Sequence, residues 1–452
     1  MVSWEMDPGS GGYADRRDAE AQRLAEDQGV KVVTRVAHTV WNPRALVASV
    51  APRPFPTTFR GFLKVLDSAG GPPAPVETPD SLPPVPDGLE KALHDAGIVL
   101  FDGVPDLCDI EIYRDSPEVA KGLGAVGSRV TELFPPGERE ALRRLDAFVS
   151  DLSRFAKFSK PSTDPTRPPE ASTTGLSPYL KSGALSSRVV MQRVLELQKQ
   201  ALSRGHKLPE IQTTLRGQLI WREFYYAQAE AMGDAYHTMV DNPICVQVDW
   251  NKGDKAKGWL ERFEHGQTGF PAVDAAMNQL RLEGWMHHLH RHLVACFATR
   301  GDLYLSWEWG RDVFERHLAD ADPALNSGNW LWVSSSAFFS AYFRVYSPIS
   351  FTQKYDKSGA YVRKYVPVLA RMPDKYIYEP WKAPLAVQKE AKCVIGKDYP
   401  KPIVDHLSAS RDNKAKMKAA YNRHRERKNG SAGDGPADSR SNGGKRKRAD
   451  DE

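Results

Sequence analysis

The chain has 452 residues, 41% of them hydrophobic, and a formal charge of +5. That much apolar material builds a substantial core, and the length points to two or more folding units, which excludes a wholly disordered chain. Nine basic side chains against three acidic ones fall within 423–448, so much of the charge excess says little about the folded body.

Four scattered cysteines, Cys108, Cys245, Cys296 and Cys393, exclude a dense disulfide framework, have no metal-ligand spacing and point to a reducing compartment. Residues 1–16 carry Asp, Glu, Gly and Pro instead of an apolar signal run, and no stretch is apolar enough for a bilayer.

In chain order, 17–28 reads as a helix with Ala21, Leu24 and Ala25 on one stripe, and 30–34 as a short strand after the Gly29 stop. One further strand is expected at 97–100, too little for a complete parallel sheet covered on both faces. Pro-rich connectors occupy 52–56, 72–75 and 79–86. Helices are expected over 138–155, 182–202, 214–232, 272–300, 309–319 and 330–340. Beyond Tyr421 apolar periodicity gives way to Gly, Ser, Asn, Asp and charge. The stretch 429–444 cannot bury enough to order itself. The cluster Lys445-Arg446-Lys447-Arg448 then reads either as a nuclear import signal or as a solvated tail.

The densest chemistry is Gly284-Trp285-Met286-His287-His288-Leu289-His290-Arg291-His292. On a helix His288 and His292 stand one turn apart, where both reach one ligand and can exchange a proton near neutral pH. Capping or core hydrogen bonding is the competing explanation for any one of them. A zinc site is disfavoured, because the Glu of the zinc-protease pattern is missing and no acidic partner follows closely. No metal is therefore expected.

Gln218, Trp221, Arg222 and Tyr225 fall at i, i+3, i+4 and i+7, so an amide, an indole, a guanidinium and a phenol share one helix face. Such a platform suits a base or an isoalloxazine ring; the alternative is a core Trp221 with Arg222 paired to Glu223 or another carboxylate. Ser172 to Leu180 is a hydroxyl-rich turn able either to hold phosphate oxygens or merely to cap a helix. In the run from Asp320 to Trp332, two carboxylates and two amides precede a Trp pair. They can pair with Arg291 and accept hydrogen bonds from a ribose or ring edge, or cap a helix starting near Asn329. The chain has 11 Trp residues; independent core tryptophans explain them unless their rings approach one another.

Taken together, the blocks 173–188, 217–226, 242–250, 268–309, 320–339 and 376–421 resemble the cryptochrome/photolyase flavoproteins. The likeness spans roughly 145–421. Within that family the chain looks most like the (6-4) photolyases and animal-type cryptochromes, through Pro243 to Gln247, Phe343 to Pro348 and Tyr399 to Val404. The resemblance implies an α/β N-terminal remnant with an incomplete parallel sheet, followed by a large all-helical FAD-binding domain. The implied boundaries are 1–115 for the truncated α/β domain, 116–144 for an interdomain connector and first helix region, 145–421 for the helical FAD- and lesion-binding domain and 422–452 for a disordered basic tail. The match begins near Trp4 to Asp7, midway through the family's N-terminal domain, which counts against an antenna chromophore.

Carried over residue by residue, Thr173, Thr174, Leu176 and Ser177 would hold the FAD diphosphate and Gln218 and Arg222 would line the flavin site. Arg291 would pair with Asp320 across the ring, Asp320 and Asp322 would lie beside the ribityl and ring edge, and Asn326 would approach flavin N5. His288, as proton donor, and His292, positioning it, match the two substrate-side histidines of the (6-4) enzymes. Trp221 and Trp332 would pack against a flipped-out lesion. Trp330, Trp307 and Trp250 match the photoreduction chain, with Tyr304 where many relatives have a fourth Trp. Departures include His290 in place of a small residue and a three-residue insertion before Gly266, which leaves Phe263 where relatives often place Trp.

The function so implied is light-driven repair of (6-4) photoproducts in ultraviolet-damaged DNA by a nuclear monomer, with the cytoplasm as alternative location and no membrane. Its rival is a cryptochrome photoreceptor or circadian transcriptional regulator acting through signalling proteins.

Overall fold

The computed structural model describes residues 2–6, 12–77 and 129–431, with isolated positions between 81 and 95. The strand expected at 97–100, Cys108 and the 445–448 cluster lie outside the described residues. Strand β1 (Val2–Glu5) pairs in parallel with β2 (Val32–Arg35), Val2 opposite Val32 and Glu5 opposite Arg35, and α1 (Gly12–Asp27) joins them. Parallel neighbours need such a crossover. This small sheet is the incomplete remnant expected; β1 was not anticipated, and β2 starts two residues later than 30.

Immediately after β2 the chain docks on the helices. Ser187 Oγ and Arg222 Nη1 each donate to the His38 carbonyl at 3.0 Å. Arg188 donates to the Val36 and Val40 carbonyls, and the Trp41 N–H to Glu223 at 3.1 Å. These bonds satisfy a connecting backbone that would otherwise be buried without partners. Leu46 of α2 (Pro43–Val50) and Phe59, Phe62 and Leu66 of α3 (Phe59–Ala69) then enter one core. They pack with Leu145 and Phe148 of α4 (Glu138–Val149), Val190 and Val194 of α5 (Ser187–Ser203) and Leu219 and Phe224 of α6 (Leu215–Met232). A second core gathers α7 (Pro271–Glu283), α8 (His288–Cys296), α9 (Trp307–His317), α10 (Pro323–Val333) and α11 (His406–Ser431).

Local chemistry sets the helix ends. Thr214 caps α6 by accepting the Gly217 N–H at 3.2 Å, and Gly233 follows its last residue. The helix expected unbroken over 272–300 is three pieces. Gly284, at φ 60, ends α7 and returns its N–H to the Leu280 carbonyl; α8 restarts with the His287 imidazole accepting the Leu289 N–H at 3.1 Å. A π-turn over Phe297–Gly301 follows.

The helix expected at 330–340 is α10, shifted upstream, because Asp322 caps it and Pro323 occupies its first turn. Its C-terminus gives way to a loop in which Ser335 and Phe338 have positive φ. Helix α5 starts at Ser187 instead of 182, and the helix expected over 138–155 breaks at Ser150. Helix α11 runs on to Ser431 and so takes in the first residues of the tail expected from 422; Arg423, Arg425, Glu426 and Arg427 are strong helix formers.

Helices α9 and α10 meet at Gly310, where an added Cβ would lie 2.2 Å from the Trp330 indole. Gly310→Ala should therefore cost about 1–3 kcal/mol of stability by overpacking, read as a lower urea midpoint at unchanged slope. An unshifted midpoint would count against this tight approach.

Candidate functional site

A cavity of about 910 Å³ opens between the two cores, near the top of the roughly 300–1,000 Å³ usual for ligand pockets. Its walls collect nearly every residue singled out from sequence: Thr173, Thr174, Leu176 and Ser177; Gln218, Trp221, Arg222 and Tyr225; His288, Arg291 and His292; Asp320, Asp322, Asn326, Trp330 and Trp332. The helix face predicted from the i, i+3, i+4, i+7 spacing of α6 is thus the face turned to the cavity.

At one end, the turn before the short helix Ser177–Ser182 is held from behind. Gly175 sits at φ 63 and Thr173 Oγ1 accepts its N–H, while Arg154 donates to the Thr173 carbonyl at 2.8 Å. The N–H groups at the start of a helix this short are only a weak anion site on their own.

Further in, Arg291 and Asp320 form the ion pair expected from sequence, at 2.9 Å. Arg222 donates to the His38 carbonyl and to Glu223, and its guanidinium lies 4.8 Å from the Tyr226 ring centre. The Glu223 pairing weighed from sequence is therefore present, yet the residue still lines the cavity. Arg222 Nη2 and Asp320 Oδ1 are buried with no hydrogen-bond partner. A buried unpaired donor and acceptor are costly, and both belong to side chains that line the cavity.

Asp322 accepts from the Tyr226 hydroxyl and lies 3.6 Å from His38 Nε2. Burial pushes its carboxyl up, but His38, Arg222 and Tyr226 outweigh that and bring it below its ordinary value. Asn326 donates from Nδ2 to the Arg311 carbonyl at 3.0 Å and to Glu315 at 2.8 Å. Both of these partners are acceptors, so the amide nitrogen must face them and its oxygen is left toward the cavity. Gln218 spends its Nε2 on the Gln212 carbonyl.

On α8, which also carries Arg291, the rings of His288 and His292 lie 6.3 Å apart. His288 Nε2 is 2.8 Å from the Lys160 carbonyl, which only accepts, so Nε2 carries the proton. Burial, then the charges of Lys160, His287 and His292, hold His288 well below the usual histidine value. His292 is pushed down to about 3 by burial and by Lys160, Arg300 and Arg291; its ring stacks on Trp332 at 5.5 Å and Tyr346 at 5.9 Å. The other two imidazoles are structural. His287 caps α8, and His290 faces away from the cavity, against Tyr361 and Thr352.

Trp221 stacks on Phe59 at 4.5 Å and Trp332 on Phe339 at 4.3 Å. Trp330 touches the cavity; Trp307 and Trp250 share its core cluster behind the wall, and Trp250 lies 4.8 Å from Tyr304. Sequence reasoning missed Lys160, Phe59 and Tyr346, all in the cavity wall. Burial, then the Arg291 charge, brings the Lys160 ammonium down to about 8. Lys160 falls between the helices expected at 138–155 and 182–202, and nothing local marks it.

The family described as FAD binding domain of DNA photolyase matches residues 214–419. A (6-4) DNA photolyase of Oryza sativa subsp. japonica is 43% identical over 410 residues, covering 90% of this chain and 69% of that protein. Cryptochrome-1 of Gallus gallus is 40% identical over 426 residues, covering 93% of this chain and 63% of its own length. A solved bacterial class III photolyase from Agrobacterium tumefaciens superposes with a TM-score of 0.67 at 27% identity, over 93% of this chain and 79% of that one. With these relatives, the cavity and a helical FAD-binding-type domain in place, the chain belongs to the photolyase/cryptochrome family.

Proposed function

We propose that the protein is a light-driven (6-4) photolyase that acts on ultraviolet-damaged DNA. The observation that carries this reading is the gathering of His288 and His292 with Arg222, Asn326 and the Arg291–Asp320 pair in the lining of one cavity. Bound FAD, fully reduced and excited by blue light, would supply the electron that opens the lesion. Thr173, Thr174, Leu176 and Ser177 would hold its diphosphate, and Gln218, Arg222, Arg291, Asp320, Asp322 and Asn326 its ribityl and ring portions. Trp221 and Trp332 would stack a flipped-out base, whose extraction is easiest at a damaged, poorly stacked step.

His288 keeps its Nε2 proton on the Lys160 carbonyl, so the proton it delivers would be one taken up at Nδ1. His292, held between aromatic rings, would position the lesion and its partner histidine. The basic cluster 445–448 would direct the protein to the nucleus, and the chain would act as a monomer. The decisive experiment illuminates FAD-loaded, reduced protein with a duplex carrying one (6-4) photoproduct. Restoration of the intact bases supports repair. Failure with FAD bound and reduced would leave the cryptochrome reading, which the 40% identity to an avian cryptochrome keeps as the rival.

Trp330, Trp307 and Trp250 would recharge the cofactor, with Tyr304 at the outer end. Trp307→Phe should remove most blue-light photoreduction by an external thiol and leave the dark flavin spectrum unchanged. Photoreduction at the wild-type rate would exclude Trp307 from the route.

A further inference from the structure

Arg300 is among the largest fully buried side chains, at 1% exposure, and among the described residues it has no carboxylate partner. Buried charges are ordinarily paired. Its donors go instead to three carbonyls: Val333 at 2.6 Å, Tyr342 at 2.9 Å and Arg344 at 2.5 Å. The first closes α10 one residue after Trp332, and the other two hold the loop just before Tyr346. The guanidinium also lies 5.8 Å from the Phe339 ring, which stacks on Trp332. Trp332 and Tyr346 are the rings that flank His292. The loop between them includes Ser335 and Phe338 at positive φ, a backbone that needs outside support to persist.

We propose that Arg300 is a positioning residue for the substrate side of the cavity. Its planar fork ties the end of α10 to the 342–344 backbone and so fixes Trp332 and Tyr346 as the slot in which His292 stands. A guanidinium suits this task because its donors are splayed in one rigid plane, whereas a lysine ammonium would reach fewer of these carbonyls. Arg300 does not line the cavity itself, so it acts only through these neighbours.

The inference rests on the repair reading for its lesion-binding consequence alone. The test compares full-length, FAD-loaded wild type with Arg300→Met and Arg300→Lys, measuring amide hydrogen exchange over 334–346, flavin absorbance and affinity for a (6-4) duplex. Exchange over 334–346 should rise, flavin content should hold, and lesion affinity should fall about 10–100-fold through misplaced contacts, with Arg300→Lys recovering part. Unchanged exchange over 334–346, or flavin loss matching the loss of lesion binding, overturns the assignment. Should Arg300→Met fail to fold, exchange in Arg300→Lys decides the matter. Absence of lesion binding by wild type would defeat the repair reading, yet the exchange result would still decide Arg300.

Discussion

Replacing His288 by alanine should lower repair of a (6-4) lesion by about 10²–10⁴-fold, the usual range for loss of a positioned acid–base group, with bound FAD unchanged. The expectation follows from where the ring stands. It borders the same cavity as Arg291, Asp320 and Asn326, yet none of its hydrogen bonds holds that side; its partners are the Lys160 carbonyl and Thr163. Removal should therefore spare the cofactor side and empty the substrate side.

Protonation sets the accompanying pH profile. With burial foremost, then Lys160, His287 and His292, holding His288 well below its ordinary value, the imidazole is neutral near pH 7. A donor must first gain a proton, so wild-type repair should rise as pH falls from 8 toward 6, helped by any anionic ligand that lifts the histidine. His288→Ala should lose that rise. A variant retaining both the wild-type rate and its pH dependence would remove His288 from the proton path.

Acid should destabilise this fold steeply, and from an unusually high pH. His287 and His290 have no exposed surface, and burial foremost pushes each down to about 3. Below about 6.5 the unfolded chain takes protons on these rings while the folded chain does not until about 3. Unfolding free energy therefore falls as pH falls through that window, by about 1.4 kcal/mol per pH unit for each histidine and about 3 for the pair.

Asp274 works the other way. Burial raises its carboxyl to about 6 against the hydrogen bonds from Thr268, Tyr399 and Gly269, so the folded state gains a proton first and stability rises as pH falls from about 6 to 4. Comparing wild type with His290→Ala cancels that contribution. The variant should lose less stability between pH 7 and 5, by about 2 kcal/mol over the interval, as read from urea midpoints at each pH. Equal slopes would mean that His290 is not buried neutral.

Much of the site was legible in the chain because its information is local. The face of α6 that carries Gln218, Trp221, Arg222 and Tyr225 follows from helical spacing, and its ends from Thr214 and Gly233. The family blocks carried the Arg291–Asp320 pair, which the fold brings to 2.9 Å. The misread boundaries were also local signals, given too little weight. Gly284 is a left-handed stop after α7, and Asp322-Pro323 is a cap and first-turn pair that opens α10 seven residues before the expected 330.

What the chain determined by itself is therefore the set of helices with their polar faces, since hydrogen bonds and caps within about four residues decide these. Only the tertiary structure decided which distant segments complete the cavity. The Lys160 carbonyl meets His288 across 128 positions of sequence, and the His38 carbonyl meets Arg222 across 184. Phe59 comes from the N-terminal remnant to cover Trp221, and Arg300 reaches carbonyls 42 and 44 residues onward. Such contacts leave no periodic trace, because they arise when separately formed helices bury their apolar faces together and the remaining polar groups must find partners wherever that packing puts them.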